Sequence, residues 1–161
     1  MRDASEPRSG RDKPRRQTPM RILVADEDPT RRRLMASLIV DKLAPAVAIE
    51  AGDVPSALEA LLTRHPDFVF GDLCLPGHSQ GGFRLILDAA SLGVPAVVTS
   101  GPIARALELR LAELGIGWVP KGASESALFA VIDRALELRR HARSDSKLPM
   151  MESSRPRMHT A

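Results

Sequence analysis

Five short apolar runs alternate with amphipathic stretches through the middle of this chain, and this alternation limits the possible folds more than any other feature. The runs lie near residues 21–25, 46–50, 67–71, 94–99 and 116–119. The stretches that follow them have helical periodicity, over about 29–43, 55–64, 82–91, 102–114 and 124–140. Strands that alternate with helices through short connections favour a parallel sheet covered on both faces. The pattern therefore predicts an α/β fold with five parallel strands flanked by helices.

Two residues mark the start of the first helix. Asp28 has a side chain that can accept hydrogen bonds from the free amides of a helix N-terminus. Pro29 fits the first helical position, because the backbone needs no N–H there. We therefore predict a helix that begins at Pro29 with Asp28 as its cap.

The composition suits one globular domain with a sizeable core, because 43% of the 161 residues are hydrophobic and 27% are charged. The aromatic candidates for that core are few, namely Phe68, Phe70, Phe83, Trp118 and Phe129. The only cysteine, Cys74, cannot form an internal disulfide, and we expect it to be buried rather than reactive. No apolar stretch is long enough to cross a membrane, so the expected location is the cytoplasm.

Positive charge is concentrated at the two ends of the chain. Residues 1–19 carry six Lys or Arg against three acids, residues 139–161 carry six against two, and the remainder has a net charge of −4. Neither end has apolar periodicity. We predict a disordered basic arm over 1–19, one domain over 20–140 and a disordered basic tail over 141–161. Contact with nucleic acid is expected only through these tails, because the domain between them is mildly acidic.

Polar residues stand where four of the apolar runs end. The acidic triplet Asp26-Glu27-Asp28 follows the first run, and Asp72 closes the third. Ser100 and Lys121 follow the fourth and fifth. The carboxyl ends of parallel strands meet along one edge of the sheet, so we expect these side chains to share a crevice. Carboxylates crowded together repel and are most easily kept ionised by a divalent cation, and this set of groups favours phosphoryl transfer to a carboxylate.

Each of these residues also has a simpler interpretation. The acidic triplet could be a helix cap with a solvated turn, and Asp72 could be a turn former, although a carboxylate among apolar neighbours is costly without compensation. Ser100 could be only a polar strand end, and Lys121 only a solvated charge. Their order and common position favour a site.

Four segments of the sequence resemble the receiver domain of response regulators, and the resemblance covers about residues 20–140. They are Arg21-Ile-Leu-Val-Ala-Asp26-Glu27-Asp28-Pro29, Asp72-Leu-Cys-Leu-Pro-Gly77, Ser100 and Trp118-Val-Pro-Lys121. The resemblance implies a doubly wound (βα)5, flavodoxin-like fold. It also implies a signalling switch that takes a phosphoryl group from a phosphohistidine donor. The implied partners are a histidine kinase or histidine phosphotransferase and a downstream protein.

The resemblance further implies a role for each site residue. Asp72 would be the phosphoacceptor, and Mg²⁺ would be the cofactor. The implied Mg²⁺ ligands are Asp26, Glu27, Asp72 and the backbone carbonyl of Cys74. Ser100 and Lys121 would contact phosphoryl oxygens, and Trp118 would change rotamer with phosphorylation. A plain core side chain is the alternative for Trp118.

Two departures from the usual family pattern affect these expectations. Glu27 stands where aspartate is commoner, and its longer side chain leaves the metal affinity open. Cys74 and Pro102 stand two residues beyond Asp72 and Ser100, where neither can easily orient a hydrolytic water. We therefore expect slow self-dephosphorylation.

Three classes of function remain open at this point. The first is a switch rather than an enzyme, with no activity beyond self-directed phosphotransfer and slow autodephosphorylation. Only 23 residues follow Leu138, which favours a stand-alone regulator. Its output would pass through a partner, through the basic tail, or through dimerisation on the face formed by the fourth helix, fifth strand and fifth helix. The second is a degenerate receiver that works unphosphorylated as a binding or dimerisation module. The third is a phosphohydrolase with an aspartyl nucleophile, which Cys74 disfavours because a second acid is expected at that position.

Overall fold

A computed structural model describes residues 18–145, in which five strands alternate with five helices. The strands are β1 (Met20–Ala25), β2 (Ala46–Ala51), β3 (Phe68–Asp72), β4 (Ala96–Ser100) and β5 (Gly117–Pro120). The helices are α1 (Pro29–Lys42), α2 (Val54–Arg64), α3 (Gly82–Ser91), α4 (Arg105–Glu113) and α5 (Glu125–Asp145). Each strand overlaps one of the apolar runs identified in the sequence.

All five strands are parallel and lie in the order β2-β1-β3-β4-β5. The winding reverses between β1 and β3, because the chain first builds outward to β2 and then returns to the other side of β1. This order confirms the predicted doubly wound (βα)5 sheet. Ligand crevices in such sheets form beyond the carboxyl ends of the strands, at the point where the winding reverses. The end of β1 and the end of β3 flank that point.

The central strands β1, β3 and β4 are largely buried on both faces, as their continuous apolar runs predict, whereas the edge strands β2 and β5 are partly exposed. Within β3, Phe68 and Phe70 pack toward α1 and α5, whereas Val69 packs toward α2, α3 and α4. Phe68 and Phe70 are almost completely buried, and each such burial stabilises the fold by about 1.5–3 kcal/mol. The other three aromatic candidates, Phe83, Trp118 and Phe129, are only partly buried. The core is therefore mainly aliphatic.

Aspartates cap the first two helices. Asp28 accepts hydrogen bonds from the N–H groups of Thr30 at 2.8 Å and Arg31 at 3.3 Å, which confirms it as the cap of α1. Asp53 accepts one from the N–H of Ser56 at 2.7 Å and caps α2 in the same way. The backbone hydrogen bonds lower the pKa of Asp28, and the hydrogen bonds from Ser56 lower the pKa of Asp53. Both carboxylates therefore stabilise the folded chain in their ionised form.

The cap at Asp53 predicts a pH-dependent loss of stability when it is removed. The pKa of Asp53 is lowered from 3.8 on folding, so its contribution is present above pH 3.8 and is lost as the pH falls through the folded pKa. We expect Asp53→Ala to lower the free energy of unfolding at pH 7, and the difference from wild type to shrink below pH 3.8. Urea titrations at several pH values measure this. Glu59→Ala, which removes an exposed acid of the same helix, is the control, and an equal loss in both variants would contradict the cap.

Two helix boundaries differ from the predicted ones. Helix α4 begins at Arg105 rather than at Pro102, because the first helical hydrogen bonds are accepted by the carbonyl of Ala104. Helix α5 continues to Asp145, five residues past the predicted domain end at 140. Residues 141–145 are therefore helical, which corrects the tail boundary. The rest of the predicted tail, and residues 1–17 of the predicted arm, lie outside the described residues.

Within residues 18–145, no helix is both long enough and apolar enough to cross a membrane.

Candidate functional site

A pair of buried carboxylates lies where the winding of the sheet reverses. Asp26 directly follows β1 and Asp72 is the last residue of β3, and both side chains are 0% exposed. The residues that precede them, Ala25 and Gly71, are register partners in the sheet. The fold therefore brings together two acids that are far apart in the sequence.

Each carboxylate is oriented by the turn that follows it. Asp26 Oδ1 accepts a hydrogen bond from the N–H of Asp28 at 2.9 Å, and Asp72 Oδ1 accepts one from the N–H of Cys74 at 2.9 Å. Aspartate commonly bonds to the backbone two residues on in this way. The turns leave the Oδ2 atom of Asp72 directed toward two cationic side chains.

Lys121 is the first of these cations. Its Nζ lies 2.6 Å from Asp72 Oδ2, and its side chain is 31% exposed. The loop that carries it is fixed to the neighbouring strand, because the N–H of Lys121 donates to the carbonyl of Ser100 at 2.8 Å. The predicted convergence of Asp72 and Lys121 is thus present in the structure.

Arg31 is the second cation, and it was not among the residues predicted for the site. Its Nη2 lies 2.7 Å from Asp26 Oδ1 and 3.3 Å from Asp72 Oδ2, and its Nε also donates to Asp26. The hydrogen bond with Asp26 raises the pKa of Arg31 further above its ordinary value. One sequence signal could have revealed it. Three consecutive arginines, Arg31 to Arg33, occupy the start of a helix, where the helix dipole disfavours cations.

Ser100 and Trp118 are joined by a direct hydrogen bond. The indole Nε1 of Trp118 donates to Ser100 Oγ at 2.9 Å, and the Ser100 hydroxyl in turn donates to the carbonyl of Gly101 at 2.7 Å. Ser100 is buried at the end of β4, whereas Trp118 is half-buried. Any rotation of the Ser100 hydroxyl therefore acts on the Trp118 ring through this hydrogen bond.

Two predicted features look different in the structure. Cys74 is exposed, so the expectation that it is buried is wrong. The physical reason is its place in the turn after β3, where its N–H donates a hydrogen bond to Asp72 while its side chain lies at the surface. Glu27 is also exposed, so the structure buries Asp26 and Asp72 together but not Glu27.

The donor chemistry of the site suits a hard cation only in part. Two buried carboxylates supply the oxygen ligands that Mg²⁺ prefers. Among residues 18–145, however, no group of three or more His, Cys, Asp or Glu side chains is arranged to hold a metal ion. The guanidinium of Arg31 contacts both carboxylates and already neutralises part of their charge. A divalent ion at Asp26 and Asp72 would therefore have to displace it.

Comparison with known proteins gives related sequences and a common fold. No family model matches the chain. It is 27% identical over 157 residues to protein-glutamate methylesterase/protein-glutamine glutaminase 3 of Myxococcus xanthus, covering 90% of this chain and 41% of that protein. It is 33% identical over 120 residues to protein Rrf1 of Nitratidesulfovibrio vulgaris, covering 73% of this chain and 83% of that protein. The chain thus spans less than half the length of the methylesterase and most of the length of the second relative.

Solved structures share the fold. The crystal structure of a CheY-like response regulator receiver domain protein from Methanospirillum hungatei superposes with a TM-score of 0.63 at 18% identity, covering 78% of this chain and 99% of that one. At this identity the likeness concerns the fold.

Proposed function

Since the chain belongs to the response-regulator receiver family, we propose that it is a signalling switch in which Asp72 takes a phosphoryl group from a phosphohistidine donor. The observation that supports this most is the contact of 2.6 Å between the buried Asp72 carboxylate and Lys121 Nζ at the carboxyl edge of the sheet. An ionised carboxylate beside an ammonium group is a nucleophile with a partner for incoming negative charge.

The proposed transfer is a displacement at phosphorus. A carboxylate oxygen of Asp72 attacks, the new O–P bond forms as the P–N bond to the donor imidazole breaks, and the leaving imidazole nitrogen takes a proton from water. Lys121 pairs with one phosphoryl oxygen, and the hydroxyl of Ser100 donates to another. Such transfers need positioning and charge stabilisation more than covalent help. The residues gathered at the edge of the sheet supply both.

Mg²⁺ is the proposed cofactor of this transfer. Asp26 and Asp72 would hold it, with the carbonyl of Cys74 as the backbone ligand that the family resemblance implies. When bound, the ion would neutralise charge on the phosphoryl oxygens. Glu27 is exposed beside Asp26, and its place in the ligand set stays a prediction.

The proposed output runs through Ser100 and Trp118. Turning the Ser100 hydroxyl toward a phosphoryl group on Asp72 breaks its hydrogen bond to Gly101 and pulls on the Trp118 indole. A cavity of about 360 Å³ beside Trp118, lined by residues of α4, β5 and α5, gives the ring room to move. A downstream protein or a second copy of the chain would read the change on the α4, β5 and α5 face.

The proposal is tested by incubating the chain with phosphoramidate, which presents the same P–N bond as phosphohistidine, and following its intact mass. We expect one phosphoryl adduct in the presence of Mg²⁺ and little in the presence of EDTA. Steady turnover of p-nitrophenyl phosphate would instead indicate a phosphohydrolase. Absence of an adduct with both phosphoramidate and a phosphorylated histidine phosphotransferase would indicate an unphosphorylated binding module.

Replacing Lys121 by alanine is expected to separate phosphorylation from the switch. Lys121→Ala removes the ammonium that pairs with the phosphoryl group, so the adduct should still form while most of the fluorescence change of Trp118, the only tryptophan, is lost. Mass and fluorescence are measured on the same samples. Lys42→Ala, which removes a lysine paired with Asp133 on the surface, should retain the full fluorescence change. A full change in Lys121→Ala would contradict the role given to this residue.

A further inference from the structure

The charges of the buried acid pair are already balanced by side chains of this chain. Asp26 and Asp72 are both completely buried, and their carboxylates contact two cations, Arg31 and Lys121. Two negative charges thus face two positive charges. Taking a further divalent cation into this crevice would leave a net positive charge in a place with little water, which is costly.

Arg31 contacts the two carboxylates that would hold a metal ion. Its guanidinium donates to both oxygens of Asp26, at 2.5 and 2.7 Å, and reaches Asp72 Oδ2 at 3.3 Å. This fork-shaped pairing is the strong, bidentate form of an arginine–carboxylate bond. It bridges the two acids that the proposed function assigns to Mg²⁺.

The side chain of Arg31 can nevertheless move away from the two carboxylates. Its side chain is 34% exposed, whereas Asp26 is 0% exposed, so the guanidinium can move into water while the carboxylate stays in place. Its backbone does not need to move, because its N–H is held by the cap residue Asp28 at 3.3 Å. A change of side-chain rotamer is sufficient to clear the crevice.

We infer that Arg31 is an internal competitor of the divalent cation, so that the Asp26–Asp72 pair holds either the guanidinium or the metal ion, but not both. This inference rests on the proposed function, because it concerns the metal site of the same switch. It makes Arg31 a regulatory element. In the absence of a metal ion, Arg31 stabilises the acid pair of the free chain. Binding of Mg²⁺ then requires that the ion pair between Arg31 and Asp26 breaks.

Mg²⁺ titrations of the full chain at constant ionic strength test this competition. The variants are Arg31→Gln, Arg31→Lys and Arg33→Gln, with binding followed by calorimetry and by the fluorescence of Trp118. Arg33 is the matched control, because it is an exposed arginine of the same helix turn. Removing the competitor in Arg31→Gln should tighten Mg²⁺ binding by about tenfold or more, since the ion no longer has to break charge-assisted hydrogen bonds. Arg33→Gln should bind within about twofold of wild type, since a screened surface charge contributes little.

Thermal unfolding gives a second readout. Without metal, Arg31→Gln leaves two buried carboxylates facing each other with one cation fewer, so it should unfold at a lower temperature than wild type. Added Mg²⁺ should raise the unfolding temperature of Arg31→Gln more than that of wild type, because at a given concentration a ligand that binds more tightly stabilises the folded chain more. If Arg31→Gln does not fold, Arg31→Lys replaces it. Lysine keeps the positive charge but cannot form the bidentate hydrogen bonds of a guanidinium. We therefore expect the Mg²⁺ affinity of Arg31→Lys to exceed that of wild type.

The outcomes separate this inference from the proposed function. Equal Mg²⁺ affinities in wild type and the Arg31 variants, or no Mg²⁺ binding in any of them, would overturn the competition. Phosphoryl adducts are measured by mass on the same preparations. Tighter Mg²⁺ binding in Arg31→Gln without any adduct in any variant would support the competition and overturn the phosphoacceptor role of Asp72.

Discussion

Asp72→Asn is expected to abolish the phosphoryl adduct completely while leaving the fold in place. The amide of asparagine is not a nucleophile for phosphorus, yet it has nearly the shape of the carboxylate. Its oxygen can still accept the hydrogen bond from the N–H of Cys74 that orients Asp72 in the native chain. The measurement is retardation on a phosphate-affinity gel after incubation with phosphoramidate and Mg²⁺.

The stability of Asp72→Asn should stay close to that of wild type, because two effects oppose each other. The variant loses the ion pairs of Asp72 with Lys121 and Arg31, but it also removes the repulsion between Asp72 and Asp26. Both cationic side chains are partly exposed and can be solvated. Asp133→Asn, which changes an exposed aspartate of α5, is the control and should form the adduct normally. An adduct that persists in Asp72→Asn would show that the acceptor is another residue.

Gly82→Ala is expected to have the largest effect on stability of any single methyl group added near the site. A Cβ at this first residue of α3 would lie 1.9 Å from the backbone carbonyl oxygen of Asp72 and 3.3 Å from the Cα of Leu73. These atoms belong to the backbone and cannot rotate away. The start of α3 or the end of β3 has to shift, at a cost of about 3 kcal/mol or more.

The shift caused by Gly82→Ala should also slow the formation of the phosphoryl adduct. Because Asp72 carries the clashing carbonyl, its side chain moves with the strand end, and a displacement of about 1 Å can slow a positioned reaction about 100-fold. Chemical denaturation and the rate of adduct formation measure the two effects. Gly101→Ala is the control, because a Cβ there meets no atom within 4 Å. Equal stability of the two variants would contradict the close approach of α3 to Asp72.

The fold was predictable because its signals are local and repeat along the chain. The run ending at Asp72 is continuous in apolar residues, and the strand it forms is buried on both faces. The cap at Asp28 and the proline at the first helical position fixed the start of α1 equally well. The convergence of Asp26, Asp72 and Lys121 then followed from the parallel sheet, since the ends of its strands meet at one edge.

The parts that the sequence did not predict depend on where long or small side chains point. Arg31 lies in the first turn of α1, five residues after Asp26, and this spacing alone does not predict that the guanidinium folds back onto both acids. Exposure of Glu27 and Cys74 depends on the orientation of two turns, which is decided by which backbone N–H each aspartate accepts. The start of α4 lies beyond Pro102, because the first helical hydrogen bonds are accepted by the carbonyl of Ala104. The roles given to these residues in phosphotransfer stay predictions.

The most direct test of the central claim locates the phosphoryl group in the chain. The protein is incubated with phosphoramidate and Mg²⁺, reduced with borohydride, which converts an aspartyl phosphate to homoserine, and analysed by peptide mass spectrometry. We expect homoserine at position 72 in place of Asp72, and unmodified aspartate at Asp26. Modification at Asp26 or at any other residue would contradict the claim that Asp72 is the phosphoacceptor of this switch. An Asp72 that stays unmodified even after incubation with a phosphorylated histidine phosphotransferase would contradict it as well.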